Sequence, residues 1–329
     1  MGTHTVDISD CTPHHAWDRA LAPVTIVGDG DEVHATLREV TDDQLSPTST
    51  SADLSELDLS RLYPLLGPVE VEGAEPGDTL EVEILSASHR GWGFTAVLPG
   101  MGLLAEDFSD PYLHVWDLGE PSNTIARFGD VATVALRPFP GTVGACPDVA
   151  TPAPIMPPGH FGGNIDCRDV VAGSRLFLPV QVPGAMLSIG DGHSAMGDGE
   201  VCVTAIESPL DVALRLRLHK DRSIPGPQLL VRGPLHPGAE DGEWYVTMGV
   251  GPDLMAAAKD ATRALVDWTA SRYAMEPVEA YVLASVAAHL RITEIVDAPN
   301  WVVSAYLPLG IFSRGRPMPG RPMPGRPIA

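Results

Sequence analysis

Apolar and polar residues alternate along much of this 329-residue chain, from Ala22 to Val250. The alternation is strictest in VEVEGAEPGDTLEVEIL, residues 69–85, where LEVEIL predicts a strand with one buried and one solvated face. The central GAEPGD predicts a tight turn, because proline and glycine supply the backbone angles that turns need. We therefore expect two strands here, with Glu75 on the turn that joins them.

Shorter apolar runs, bounded by glycine and proline, predict further strands in the same part of the chain. They cover residues 22–27, 33–40, 201–206, 212–218 and 244–250, with others between 90 and 150. The runs 201–206 and 212–218 are expected to form neighbouring strands. The run 176–187 contains Pro179 and Pro183, which favour an edge strand or a bent one.

Helical periodicity replaces the alternation late in the chain. From Asp253 to Met275 the apolar residues recur at roughly helical spacing, and Pro252 and Asp253 are residue types that start helices. Pro277 opens a second predicted helix that ends at Leu290. Two late helices after a strand-rich body predict a mainly β fold of the α+β kind.

Two segments are expected to lie outside the packed core. Residues 41–60, rich in Ser, Thr and Asp, are expected to form a solvated loop. Residues 314–329 repeat the unit GRPMP, and proline and glycine at this density cannot build a core. We therefore expect a β-rich body at residues 1–313, as one unit or as two intimately packed subdomains, and a disordered tail at 314–329.

The composition limits the classes of function. Hydrophobic residues make up 44% of the chain, and a net charge of −22 would repel phosphate backbones, so we expect no nucleic-acid partner. The four cysteines form no CxxC pair, and the first residues lack the basic-then-apolar order of a secretory signal. No apolar run is long enough to span a membrane. These features favour a cytoplasmic protein with reduced thiols and no membrane partner.

Two polar, glycine-rich runs, GHFGGNIDCR and GDGHSAMGDGE, flank one apolar run between Gly159 and Glu207. They concentrate acids and an imidazole in a short stretch of chain: Asp166, Asp169, Asp191, His193, Asp198 and Glu200. Glycine lets the backbone turn sharply and approach a ligand closely. Carboxylates and an imidazole carried on such turns suit a metal ion, and they also suit general acid–base chemistry.

Three long segments carry a family resemblance. They are GPVEVEGAEPGDTLEVEIL at 67–85, PGHFGGNIDCRDVVAGSRLFLPV at 158–180 and GAMLSIGDGHSAMGDGEVCVTAIE at 184–207. With the late helices and the closing IVDAPNWVVSAYLP, they make the chain resemble the acetamidase/formamidase family of amide hydrolases over roughly residues 12–313. Met196 is a departure, because it stands where that family usually has glutamine, and the GRPMP tail has no family counterpart.

The resemblance implies hydrolysis of a short amide to a carboxylate and ammonia, with formamide and acetamide as the reference substrates. It implies a mainly β architecture of sandwich-like and barrel-like parts with a small α+β portion. It also implies a bound divalent metal, with zinc favoured and calcium the alternative, and a homo-oligomer, either a dimer or larger.

Metal ligation is the first role expected of the polar runs. An amide is a poor electrophile with a poor leaving group, and a metal ion helps by polarising the carbonyl and by lowering the pKa of bound water. His193 is our first candidate ligand, followed by Asp166 and Asp191, although each of these residue types also has ordinary structural roles such as capping a turn. Mixed histidine and carboxylate ligation suits zinc, whereas a second, all-oxygen site would suit calcium.

Proton transfer and substrate binding need further residues. We expect Glu200 or Glu75 to be the general base, which collects a proton from water and passes it to the departing nitrogen. Glu200 is expected to enter a strand directly after a glycine turn, and Glu75 could reach the same place from its own turn. Asn164 is expected to hold the substrate carbonyl or amide in the manner of an oxyanion donor.

Three other functions remain open on the sequence alone. A covalent route through Cys167 would need a base and an electropositive setting, whereas acidic residues dominate its surroundings. The hydrolase could act on a lactam, carbamate or ureide, because Met196 in place of an amide side chain would favour a larger or less polar acyl group. A non-catalytic, metal-stabilised ligand-binding module is also compatible with an acidic, β-rich chain.

Overall fold

A computed structural model describes residues 4–101, 110–128, 132–196, 200, 202–232, 243–274 and 289–309 of the chain. Within these residues the structure is mostly β. The strands are β1 (Thr5–Asp7), β2 (Thr25–Val27), β3 (Glu32–Leu37), β4 (Leu65–Val71), β5 (Thr79–His89), β6 (Trp92–Val97), β7 (Tyr112–Asp117), β8 (Ile125–Phe128), β9 (Ala132–Ala135), β10 (Phe139–Ala145), β11 (Gly162–Asn164), β12 (Arg175–Pro179), β13 (Leu187–His193), β14 (Leu210–His219), β15 (Gln228–Arg232), β16 (Glu243–Gly251), β17 (His289–Glu294) and β18 (Trp301–Pro308). The helices are α1 (Leu254–Tyr273) and two short 3₁₀ helices, Ser51–Glu56 and Leu59–Arg61.

Two large sheets hold most of these strands. The larger sheet has nine strands in the order β1-β3-β14-β5-β12-β15-β16-β18-β17, and the second has five in the order β11-β10-β13-β4-β2. The remaining strands form the hairpins β6–β7 and β8–β9. Neither large sheet returns to its first strand, so the strands that the structure describes do not close a barrel. The mainly β expectation is confirmed.

The two large sheets share one hydrophobic core. Strands β5 and β14 of the larger sheet and β4, β10 and β13 of the smaller sheet all contribute side chains to the same buried cluster. In LEVEIL, the apolar residues Leu80, Val82 and Ile84 are fully buried in that core, as the alternation predicts. On the other face of β5, Glu81 and Glu83 pair with His219 and Arg215 of β14. The sheets therefore form a sandwich.

The first late helix forms as predicted. The Asp253 side chain accepts a hydrogen bond from the backbone N–H of Ala256 at 2.7 Å and so caps the helix. The helix packs on β16 and β18, and Trp268 stacks on Tyr245 with ring centroids 3.6 Å apart. Among the described residues, no helix is both long enough and apolar enough to cross a membrane.

Most of the second predicted helix, residues 278–288, lies outside the described residues. The end of the prediction is wrong, because His289 and Leu290 begin strand β17. Strand β17 then pairs antiparallel with β18 at the edge of the larger sheet. A sequence rich in alanine and leucine favours a helix locally, but pairing with a neighbouring strand decided the conformation of its last residues.

Two strand predictions are also corrected. Residues 202–206 contain a turn, not a strand, because Val203 has φ 77° and its N–H donates to the Glu200 carbonyl at 2.8 Å. The neighbours of β14 are therefore β3 and β5. Strand β12 lies inside the larger sheet between β5 and β15, and not at an edge. Pro179 is its last residue, so the missing N–H falls where the strand ends.

Candidate active site

A buried group of acids surrounds one histidine at the end of strand β13. We call it the acid cluster, and it consists of Asp166, Asp191, His193, Glu200, Glu207 and Asp297. None of these residues is more than 5% exposed. Strand β13 carries Asp191 and His193, Asp166 follows β11, Glu200 and Glu207 follow β13, and Asp297 lies between β17 and β18. Parts of the chain that are far apart in sequence therefore meet at one point.

His193 is the centre of the acid cluster. Its Nε2 atom lies 3.3 Å from Asp191 Oδ1, 3.2 Å from Glu207 Oε2 and 3.8 Å from Glu200 Oε1. Its Nδ1 atom lies 3.8 Å from Asp166 Oδ1. The structure therefore brings together four residues that the sequence predicted for the site, namely His193 with Asp166, Asp191 and Glu200.

The backbone that presents these carboxylates is strained. Asp166, Asp191 and Glu200 have φ angles of 40°, 59° and 44°, in the left-handed region that residues other than glycine rarely adopt. Each such residue costs on the order of 1–3 kcal/mol, and such strain is concentrated at functional sites. Two of the sequence expectations change here, because Asp191 lies within a buried strand instead of on a turn, and Glu200 begins a turn instead of a strand.

Gly141 lets the backbone of β10 approach the acid cluster closely. It lies on β10 across from Asp191, between the cross-strand pairs of Pro140 with Gly192 and Thr142 with Gly190. A Cβ atom at position 141 would lie 2.4 Å from Asp166 Oδ1, 2.8 Å from Asp191 Oδ2 and 2.8 Å from His193 Cε1. Only glycine fits there, because the two carboxylates and the imidazole pack directly against its Cα.

Several polar atoms of the acid cluster lack a hydrogen-bond partner. They are Asp166 Oδ1, Asp191 Oδ1, His193 Nδ1, Glu207 Oε2 and Asp297 Oδ1. A buried polar atom without a partner costs about 1–3 kcal/mol, more if it is charged, so native proteins rarely leave them together. Three overlapping sets of candidate ligand atoms lie within 4.8 Å of one another in this cluster. The residues present therefore fit a divalent cation.

The pKa shifts in the acid cluster also favour a bound cation. Burial first, and then the neighbouring negative charges, raise the pKa of Asp166, Glu200 and Asp297 well above their ordinary values. For His193, burial lowers the pKa, but the negative charges of Glu207 and Asp191 outweigh burial, and the pKa is raised. So many acids cannot ionise together in a buried space unless a cation compensates them.

Asn164 does not have the free amide that an oxyanion donor needs. Its Nδ2 donates to Asp297 Oδ2 at 2.7 Å and to the Met156 carbonyl at 3.2 Å, and its Oδ1 accepts from Thr142 Oγ1 at 2.6 Å. Asn164 therefore orients Asp297, which is a supporting role next to the acid cluster.

Glu75 is not brought to the acid cluster. It is exposed on the turn between β4 and β5. Strands β4 and β13 are antiparallel, and Leu65 at the start of β4 is opposite Gly190, beside the site. Because Glu75 follows the other end of β4, antiparallel pairing places it at the opposite end of the sheet from His193. Of the two candidate bases, only Glu200 lies at the site.

Sequence reasoning missed two members of the acid cluster. Glu207 ends the third family-like segment, and Asp297 lies in the closing IVDAPN, but neither has the flanking glycines that marked the other candidates. Position within the family-like segments was the one signal available for both. Glu207 reaches the site because it forms isolated bridges with both Phe94 and His193.

Two other residues that the sequence singled out lie beside the acid cluster or in the core. Met196 is buried against Phe139 and Ala205, and the Phe139 ring meets the His193 ring edge to face with centroids 5.1 Å apart. Met196 therefore stands behind Phe139 as part of an apolar wall. Cys167 is fully buried in the main core, with its Sγ 3.7 Å from the Tyr306 hydroxyl. A covalent route through Cys167 is disfavoured, because a substrate could not reach its sulfur.

Comparison with known proteins decides the family. The sequence profile of the Acetamidase/Formamidase family matches residues 3–156 and 149–314. The chain belongs to the acetamidase/formamidase family. This confirms the resemblance and the expectation of an amidohydrolase, and the residues matched include every member of the acid cluster.

Individual members of the family are moderately similar. An acetamidase from Mycolicibacterium smegmatis is 30% identical over 57% of this chain and 61% of its own length, so the match spans less than two thirds of that relative. A formamidase from Methylophilus methylotrophus is 25% identical over 91% of this chain and 89% of its own length. The crystal structure of an acetamidase from Bacillus halodurans superposes with a TM-score of 0.83 at 29% identity, covering 93% of this chain and 98% of that one.

Proposed function

We propose that this protein hydrolyses short linear amides to a carboxylate and ammonia, at a divalent metal ion held by the acid cluster. The observation that carries the proposal is the group of buried carboxylate and imidazole atoms without hydrogen-bond partners that meets around His193, beside the Gly141 backbone. Membership of the acetamidase/formamidase family supplies the reaction class. The names of the relatives make formamide and acetamide the first substrates to test.

His193, Asp166 and Asp191 are the proposed ligands. All three pack against Gly141, and their ligand atoms lie within 4.8 Å of one another. A mixed set of imidazole and carboxylates suits zinc. The set Asp166, Glu200 and Asp297 offers oxygen atoms alone, which would suit calcium.

The surrounding residues supply positioning and proton transfer. A divalent ion in this place would polarise the amide carbonyl and make water a better nucleophile. The Glu200 carboxylate is the proposed base, which takes a proton from the attacking water and returns it to the nitrogen as the C–N bond breaks. Asn164 would hold Asp297 in place through its 2.7 Å hydrogen bond.

The proposed substrates are small because the acid cluster is enclosed. Its residues are at most 5% exposed, and the Phe139 and Met196 wall stands beside His193. This wall is apolar, so a lactam, carbamate or ureide with a less polar acyl part is the second candidate substrate class. A panel containing formamide, acetamide, longer aliphatic amides and these compounds would separate the two classes.

The first test combines metal analysis with ammonia release. Protein purified without chelators is expected to contain about one divalent ion per chain, and it should release ammonia from formamide or acetamide. His193→Ala should lose both the ion and the activity, because the imidazole is a proposed ligand. His34→Ala is the matched control, since the His34 side chain is 46% exposed on β3.

Two results would contradict the proposal. Full activity in metal-free protein would exclude the metal-dependent route. Binding of the ion without ammonia release from any compound of the panel would favour a metal-stabilised binding module.

Assembly, localisation and the tail remain proposals of their own. We propose a cytoplasmic homo-oligomer, to be tested by light scattering and cell fractionation. We also propose that residues 1–313 suffice for activity, which a chain truncated after residue 313 would test.

A further inference from the structure

Tyr63 lies at the base of the loop that connects β3 with β4. Its backbone N–H donates to the Val40 carbonyl at 2.8 Å, which closes the loop between residues 40 and 63. Arg61 strengthens this closure through a two-pronged contact with Asp42, from Nε at 3.1 Å and Nη2 at 2.8 Å. The Arg61 Nη2 atom also donates to the Asp42 carbonyl at 2.9 Å. The position of Tyr63 is therefore fixed from both sides of the loop.

The backbone of Tyr63 is held in an unfavourable conformation. Its φ angle is 57°, in the left-handed region, where a bulky aromatic residue is an outlier. Asp42, which holds Arg61, also has a positive φ angle, of 59°. Strain of this kind persists where the surrounding contacts over-determine a residue, and it is concentrated at active sites and ligand clamps.

Tyr63 lies close to the acid cluster along the chain. Leu65, two residues later, is opposite Gly190, which precedes Asp191, and the Pro64 carbonyl lies against Gly190. The ring packs beside Trp17 and Leu65. Burial first, and then the negative charges of Asp297, Asp191, Asp166 and Glu200, raise the pKa of the Tyr63 phenol well above its ordinary value. A phenol is a neutral hydroxyl at neutral pH and can donate one hydrogen bond.

That hydroxyl is available to a ligand. Within the part of the chain that the structure describes, it forms no hydrogen bond, and the residue remains partly exposed. The Asn164 amide, the donor that the sequence suggested, is already used by Asp297 and Met156. Amide hydrolysis places negative charge on the carbonyl oxygen, and a fixed neutral donor stabilises that charge.

We propose that Tyr63 is a further catalytic residue, whose hydroxyl donates a hydrogen bond to the carbonyl oxygen of the amide. This inference rests on the proposed amide hydrolysis. Arg61 and Asp42 are positioning residues, which act by holding Tyr63 at the site.

The main test is Tyr63→Phe, which removes the hydroxyl and keeps the ring. We expect kcat to fall by about 100-fold or more, as for the loss of one oxyanion donor in other hydrolases. KM should change little, and the metal content should not change, because the phenol is not a proposed ligand. Tyr112→Phe is the matched control, since Tyr112 is 53% exposed on β7, and it should behave as wild type.

A double-mutant cycle tests the positioning role. Arg61→Ala should lower kcat in the wild-type background, because the loop would no longer hold Tyr63. In the Tyr63→Phe background the same change should have almost no further effect on kcat. A purely structural role of Arg61 would instead give equal losses in the two backgrounds, and would overturn the positioning assignment.

The outcomes separate this inference from the function on which it rests. If wild type releases ammonia and Tyr63→Phe keeps kcat within about twofold, the role of Tyr63 is wrong and the proposed function stands. If wild type releases ammonia from no compound of the panel, the proposed function fails and this inference fails with it.

Discussion

At the scale of single residues, Gly141 matters because of the atoms it lacks. A methyl group there would overlap the positions of two carboxylates and the imidazole, at distances of 2.4–2.8 Å. Asp166, Asp191 and His193 therefore pack against the Gly141 backbone, and their arrangement depends on the glycine.

The change Gly141→Ala tests this reading. The methyl group would push the Asp166, Asp191 and His193 side chains out of their present positions, so we expect loss of the bound ion and of at least about 100-fold in activity, comparable to the loss of one major catalytic interaction. Metal analysis and ammonia release would measure both. Gly28→Ala is the control, because a Cβ there would lie at an ordinary 3.4 Å from Asp31. An active, metal-loaded Gly141→Ala protein would show that the ion and substrate lie elsewhere.

At the scale of elements, helix α1 packs closely on the larger sheet because strand β16 has a glycine, Gly249, where the helix contacts it. A Cβ atom at Gly249 would lie 1.9 Å from the Ala257 carbonyl oxygen of α1. Ala257, Ala261 and Leu265 are buried on this side of the helix. The close approach of helix and sheet therefore depends on one glycine.

The change Gly249→Ala should force α1 away from β16. We expect a loss of unfolding free energy of about 1–3 kcal/mol or more, as for other overpacked cores. Denaturant unfolding would measure the loss. Gly251→Ala on the same strand is the control, because no atom lies within 4 Å of a Cβ at that position. Equal stability of the two variants would mean that α1 does not pack as described.

At the scale of the whole molecule, buried acids link stability to pH. Burial is the main cause that raises the pKa of Glu39 to about 7, with the negative charges of Asp43 and Glu207 adding to it. Burial likewise raises the pKa of Glu294 to about 7. For acids with a raised pKa, the contribution to stability is present below the ordinary value and is lost as pH rises through the folded value.

The metal-free protein should therefore become less stable between pH 6.5 and pH 8.5. Glu39 and Glu294 titrate near 7 in the folded protein, and the raised pKa of His193 acts in the same direction. His14 has a lowered pKa and acts in the opposite direction, but mainly below its ordinary value of 6.5. Calorimetry of chelated protein should show a lower Tm at pH 8.5.

Added divalent metal should reverse this trend. Ligands bind the ion in their deprotonated form, so the ion should raise Tm more at pH 8.5 than at pH 6.5. Glu39→Gln should reduce the loss in the chelated protein without abolishing the response to metal. A chelated protein whose Tm rises over this range would contradict the charge arrangement described here.

The sequence was sufficient for local features. Alternation in LEVEIL located β5, helical spacing after Asp253 located α1, and the glycine-rich runs pointed to Asp166, Asp191, His193 and Glu200. These features are local because a strand, a helix start or a flexible turn depends on neighbouring residues. The segments that resemble the family add the reaction class, since they too are read along the chain.

Only the tertiary structure decided which side chains meet. Asn164 and Asp297 are 133 residues apart and hydrogen bonded, and no local pattern predicts that contact. Antiparallel pairing placed Glu75 at the far end of β4 and placed Glu207 beside His193. The hydrogen bond from Tyr63 to Val40 likewise joins residues that are far apart in the chain. Sequence patterns determine the conformation of segments, whereas convergence depends on strand register and sheet packing across long separations in the chain.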